Sequence, residues 1–233
     1  MRYCIGDIHG CVKTLEGLVG KILEKDPKAA FYFVGDLIDR GPDSKGVIDY
    51  LIELKESGYV IRSIMGNHEQ MFLNAYEKNI PVHSSNWAFN GAEQTISSFT
   101  KSYKLNQTAK DLIPEKYYQF IKSLPYFIET EAYFIVHAGF NFYSAKPFED
   151  LEFMLWTRKE ENDPKYTNGK KIIHGHTPIS KEEMQSTLKN NSPDVINVDT
   201  GCVYIQRTNL GYLTALNMDT MEIVYTKNSD MFR

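Results

Sequence analysis

Ala29-Ala30-Phe31-Tyr32-Phe33-Val34-Gly35-Asp36-Leu37-Ile38-Asp39-Arg40-Gly41 joins an apolar run to a turn carrying two carboxylates and a guanidinium. A short apolar run bounded by glycine reads as a buried strand, and the polar residues begin where it stops. The same order comes twice more. Upstream, Arg2 to Ile5 runs into Gly6-Asp7-Ile8-His9-Gly10; downstream, Tyr59 to Met65 runs into Gly66-Asn67-His68-Glu69. After each polar turn, apolar residues recur at helical spacing: Val12, Leu15, Leu18, Val19, Ile22 and Leu23, then Val47, Ile48, Leu51, Ile52 and Leu54, then Met71, Phe72 and Ala75. Alternation of this kind predicts an α/β fold with right-handed crossovers, whose polar groups collect beyond the carboxyl ends of the strands.

Further along, Tyr126–Ile128, Tyr133–Val136, Lys171–Ile173, Val195–Val198, Val203–Gln206, Tyr212–Leu216 and Ile223–Tyr225 read as short strands separated by turn residues. The C-terminal half is thus richer in β, with some antiparallel strands expected, which gives the α/β chain an α+β character. Residues 78–125 break the rhythm with polar and aromatic side chains (Trp87, Phe89, Tyr103, Tyr117, Tyr118) and weaker periodicity. They read as a helical cap or insertion on a single domain spanning 1–233.

With 233 residues, 42% of them hydrophobic, the chain can bury a sizeable core. A formal net charge of -4 with interspersed signs argues against nucleic acid as a partner. No apolar run approaches the ~18 residues of a membrane span. The first apolar segment leaves no room for a signal peptide. Three cysteines, Cys4, Cys11 and Cys202, are too few for a disulfide framework and suit a cytoplasmic protein in which they are simply buried.

Of the six histidines, five (His9, His68, His137, His174, His176) follow an apolar strand and lie within two residues of a glycine. Asp7, Asp36, Asp39 and Asn67 obey the same rule. Satisfied core histidines would scatter over element faces instead. Imidazole, carboxylate and carboxamide donors without thiolate suit Mn²⁺, Fe or Zn²⁺ in an expanded shell, not a structural zinc. The donor count fits two ions, and two ions roughly 3.5–4 Å apart need a shared ligand. Asp36, on the central segment, is the candidate bridge.

In order, GDIHG, GDLIDRG, GNHE, VHAG and HGHTP resemble the calcineurin-like metallophosphoesterases, and within them the PPP-type serine/threonine protein phosphatases, most of all the bacteriophage lambda-type and bacterial ones. GNHEQM, Trp87 to Gly91, Leu155-Trp156-Thr157-Arg158 and VDTGCVY extend the likeness over nearly the whole chain. The resemblance implies a β-sandwich of two mixed sheets flanked by helices, with the site at the carboxyl ends of strands. It also implies two divalent metals, Mn²⁺ foremost. Asp7 and His9 then hold one, Asn67, His137 and His176 the other, and Asp36 both, while a water between them attacks phosphorus without a covalent intermediate. His68 resembles the general acid, with Asp39 orienting it. Arg40 and Arg158 resemble the guanidinium clamps on the phosphate oxygens, where Asn67 also reaches.

Several residues read otherwise. His174 lies one glycine before His176, but its side chain would point away from the site if the strand continues, which gives it a packing role behind the ligands. His83 lies outside every motif and reads as solvated. Asp199 either fixes the tautomer of a ligand histidine or caps a turn. The implied activity is hydrolysis of phosphoserine and phosphothreonine, by extension phosphotyrosine, in phosphoproteins or phosphopeptides. The alternative is a bis(5'-nucleosyl)-tetraphosphatase acting on dinucleoside polyphosphates. A metal-free scaffold is the remaining reading, opposed by the full set of ligand types.

Overall fold

Strands β1 (Arg2–Ile5), β2 (Ala30–Phe33) and β3 (Ile61–Ser63) lie parallel in one sheet. Ile5 pairs with Phe33 and Phe33 with Ser63, so the three strands end level and release their polar loops at one edge. The computed structural model describes residues 1–190 and 193–231. Strand β1 is completed on its other side by the antiparallel β8 (Tyr212–Asn217), itself paired with β9 (Ile223–Lys227), which gives the order β3-β2-β1-β8-β9. A second sheet runs β4-β5-β6-β7, from Phe127–Glu129, Tyr133–Val136, Lys171–His174 and Val195–Asn197, with only β4 antiparallel to its neighbour.

Side chains alternate across each strand, and the two faces go to different partners. Cys4, Tyr32, Tyr133, Ile135, Ile173, Ile196 and Leu216 meet between the sheets in one buried cluster. Tyr3, Ile5, Phe31 and Phe33 face the opposite way, into a cluster shared with Leu15, Leu18 and Ile22 of α1 (Val12–Leu23) and Val47, Ile48 and Leu51 of α2 (Ser44–Glu56). Phe134 and Val136 turn outward under Phe140 and Met154. Two mixed sheets flanked by helices are therefore present, as the resemblance implied.

The helix starts show how loops are tied. Asp43 accepts the Gly46 N–H at 2.7 Å and caps α2. The first turn of α1 is served from the far end of the chain, where Asp230 accepts the N–H groups of Lys13 and Thr14 at 2.9 and 2.8 Å. Helix α3 (Asn67–Lys78) ends at Asn79 in the left-handed conformation. In the 78–125 stretch, two 3-10 turns precede α4 (Ala92–Phe99), α5 (Ala109–Leu112) and α6 (Glu115–Lys122). Trp87, Ile96, Tyr117 and Ile121 from this stretch join the same buried cluster as α1 and α2. The remaining short helices are α7 (Leu151–Trp156), α8 (Pro164–Thr167) and α9 (Lys181–Asn190).

One expected strand is absent among the described residues. Val203–Gln206 lies in a series of turns, with Tyr204 N donating to Gly201 O and Arg207 N to Tyr204 O. Those three-residue spans are turn hydrogen bonds, not ladder pairs, and Gly201 and Asn209, on either side of the segment, have positive φ. Cys202 and Val203 are buried for another reason: they pack into the core beneath the turn.

Candidate metal centre

The loops leaving β1, β2, β3, β5 and β6 converge at one edge. Two of them touch where neither has a side chain: a Cβ on Gly66 would lie 2.3 Å from the Asp36 nitrogen, and one on Gly35 2.6 Å from the Gly66 nitrogen. His9, Asp36, Asp39, Arg40 and His176 all have φ between 48° and 72°. Five non-glycine residues in the left-handed region, clustered at one site, are backbone strain concentrated where side chains must be aimed.

Asp36 sits between two groups of histidines. Its Oδ2 is 3.5 Å from His9 Nε2 and 3.9 Å from His68 Nε2, while its Oδ1 is 3.5 Å from His137 Nε2. Close donor groups form around it twice, as His9–Asp36–His68 and as Asp36–His137–His176. Asp7 falls outside both and reaches the cluster by accepting the His176 N–H at 3.1 Å. Asn67 Oδ1 lies 2.9 Å from His137 Nε2 and 3.1 Å from His176 Nδ1.

These donors fit divalent cations. His9 and His137 commit their Nδ1–H groups to the Ile38 and Val34 carbonyls, at 2.9 and 2.8 Å, which leaves each Nε2 as a lone pair. Burial lowers the His137 pKa and, with help from His137, brings His176 down to about 3, so both rings are neutral near pH 7. His137 Nε2, His176 Nδ1 and Asn67 Oδ1 then stand 2.9 to 3.2 Å apart with at most one hydrogen to share among them. Burial, followed by the charges of Asp199 and Asp36, pushes the Asp7 carboxyl well up. A cation held by these side chains would relieve both the lone-pair crowding and the carboxylate repulsion.

His68 is oriented from behind. Its Nδ1 is 2.7 Å from Asp39 Oδ2, and its buried Nε2 has no hydrogen-bond partner among the described residues. Burial works against the imidazolium, but Asp36 and then Asp39 outweigh it and the pKa is raised. Asp39 is itself held by Trp87 Nε1 at 2.9 Å and Thr95 Oγ1 at 2.6 Å. Burial raises the Asp39 carboxyl too, while these donors favour its charged form.

Glu69 had no role in the sequence reading. Fully buried, it accepts the N–H groups of Asp36, Leu37, Ile38 and Gly66 at 2.8 to 3.2 Å, and so braces the loop that carries Asp36. Its sole sequence signal is glutamate three residues after a helix-starting glycine. His174 faces Glu160, 3.8 Å away, behind the cluster; His83 is exposed; Asp199 accepts the Gly201 N–H at 2.8 Å and caps a turn.

Above the cluster opens a cavity of about 310 Å³ whose lining includes Asp36, Asn67, His176, Arg40, Arg158 and Arg207. Arg40 Nη1 lies 2.6 Å from His9 Nε2. The two arginines singled out in the sequence thus share one cavity with a third, which was not.

A family model described as calcineurin-like phosphoesterase matches residues 3–198. An asymmetrical bis(5'-nucleosyl)-tetraphosphatase of Anoxybacillus flavithermus is 29% identical, over 94% of this chain and 91% of that protein. Serine/threonine-protein phosphatase 1 of Salmonella typhimurium is 28% identical over 87% of each. A solved protein serine/threonine phosphatase from Saccharomyces cerevisiae, 17% identical, shares the fold with a TM-score of 0.60 over 100% of this chain and 80% of its own.

Proposed function

The chain belongs to the calcineurin-like phosphoesterases, a family of phosphoester-cleaving hydrolases, and from that premise we propose a two-cation hydrolytic site made of Asp7, His9, Asp36, Asn67, His137 and His176. Manganese is the cation we assign. Two such cations, when bound, make water a nucleophile near neutral pH and stabilise charge on the phosphate. Asp36 is shared by both ligand groups, and its position, one oxygen toward His9 and the other toward His137, is the observation that supports the reading most.

The protein groups divide the remaining work. Arg40 and Arg158 receive the non-bridging oxygens with planar N–H forks, joined by the Asn67 amide. His68, charged and held by Asp39, presents Nε2–H toward the departing oxygen and gives up that proton as the bond breaks. Water enters the product, so no side chain is consumed. Three free, buried cysteines support action in the reducing cytoplasm. Among the described residues, no helix is long and apolar enough to cross a membrane.

Two substrate classes have support. Likeness to the Salmonella phosphatase favours phosphoserine and phosphothreonine in proteins. Likeness to the Anoxybacillus tetraphosphatase, over nine-tenths of both chains, favours dinucleoside polyphosphates at least as well. Turnover with Mn²⁺ should be measured in parallel on phosphoserine and phosphotyrosine peptides, diadenosine tetraphosphate and p-nitrophenyl phosphate. The ranking assigns the class; no turnover of any of the four by metal-loaded protein would overturn the hydrolytic reading.

A further inference from the structure

We propose that Arg207, set by Tyr204, forms a second phosphate subsite beside the attacked phosphate, so that the substrate carries a phosphoanhydride chain instead of a lone phosphomonoester. This rests on the hydrolytic reading above and narrows its substrate class.

Three guanidiniums, of Arg40, Arg158 and Arg207, line one cavity of about 310 Å³. Among the described residues, Arg2 is the only arginine in an ion pair with a carboxylate; Arg40 spends one N–H on His9 Nε2, and none of the three cavity guanidiniums is neutralised by an acid. A phosphomonoester offers three non-bridging oxygens, which the cations and two arginine forks already occupy. A third fork at the same cavity calls for further phosphate oxygens.

Arg207 is also placed. Its guanidinium carbon lies 4.6 Å from the centroid of the Tyr204 ring, and that of Arg40 lies 5.5 Å from the same centroid. A stacked guanidinium keeps its edge free for anions while losing less freedom on binding. The turn that carries both residues is anchored at its base. Asp199 accepts the Gly201 N–H, Gly211 N donates to Gly201 O at 3.0 Å, and Asn228 donates to the Cys202 carbonyl at 2.9 Å.

In the reaction this subsite serves, the water oxygen bonds to the attacked phosphorus and the bond from that phosphorus to the bridging oxygen breaks. The departing phosphate chain keeps the electron pair, and the proton lost by water passes to it or to solvent. Charge grows on the departing phosphate, where Arg207 meets it.

The test compares wild type with Arg207→Ala and Arg207→Lys, loaded with Mn²⁺, on diadenosine tetraphosphate and on p-nitrophenyl phosphate. The ratio of the two kcat/KM values should fall about ten-fold or more in Arg207→Ala, as expected for one lost charge-assisted contact, with partial recovery in Arg207→Lys. Titration calorimetry of metal-free protein should show inorganic tripolyphosphate binding more tightly than orthophosphate, with the difference reduced in Arg207→Ala. An unchanged ratio, equal binding of the two anions to wild type, or a wild type that cleaves p-nitrophenyl phosphate but not diadenosine tetraphosphate would overturn the subsite and leave the hydrolase intact. A wild type inert on both substrates would overturn the two together.

Discussion

Asp39 Oδ2 stands 2.7 Å from His68 Nδ1, and both side chains are shielded from solvent. The pair decides how basic the unpartnered Nε2 of His68 is. Removing the Asp39 charge withdraws one of the two fields that hold the imidazolium against burial. Turnover that needs protonated His68 falls as pH rises through its raised pKa. In Asp39→Asn that alkaline limb of the kcat profile should therefore move to lower pH. A limb at the same pH in both proteins would assign it to another group.

His68→Asn should separate substrates by leaving group. Alkyl phosphates need a proton on the departing oxygen and should slow by about 10²-fold or more; p-nitrophenyl phosphate, with its good leaving group, should slow far less. Equal losses, read from steady-state kinetics on both, would remove His68 from proton transfer.

Asp36→Asn keeps the shape and discards the shared charge. Losing a partner merely behind a metal ligand costs about 10–100-fold in affinity or activity, and a ligand common to both ions should cost more. Inductively coupled plasma measurement should find fewer ions per chain than in wild type. Wild-type activity at saturating Mn²⁺ would refute the bridging assignment.

Glu69→Ala strips four buried backbone N–H groups of their acceptor, which at about 1 kcal/mol each amounts to roughly 4 kcal/mol. Urea unfolding should report it, with Glu69→Gln intermediate because one oxygen remains. Burial and then Asp36 raise this carboxyl from 4.5 to about 8 in the metal-free protein. The folded state then binds its proton more tightly, so this contribution to stability is full below pH 4.5 and is lost as pH rises to about 8. Glu69→Gln should flatten that slope.

The sheet edge and its polar loops were legible because each motif follows a short apolar run, and strand ends aligned by parallel pairing must deliver them together. The two-sheet sandwich came from the family resemblance, since short C-terminal strands do not reveal which sheet they join. Val203–Gln206 misled because its apolar residues pack below a turn, a burial pattern that alternation alone cannot tell from a strand. Glu69 was silent because its partners are backbone groups of a loop about thirty residues earlier, which have no side-chain signature. Arg207 was missed for the opposite reason: exposed arginines are common, and only the fold brings this one beside Arg40.

Strand β1, which leads into the loop bearing Asp7 and His9, is flanked by β2 and by β8, and the helix that follows that loop is capped by Asp230. A ribosome making this protein releases the opening strand long before its second neighbour exists. The loop with Asp7 and His9 gains its full support only when β8 and Asp230 have docked, so hydrolytic competence should arise only after both have been made, and a nascent chain halted before Tyr212 should remain inert toward phosphates around it.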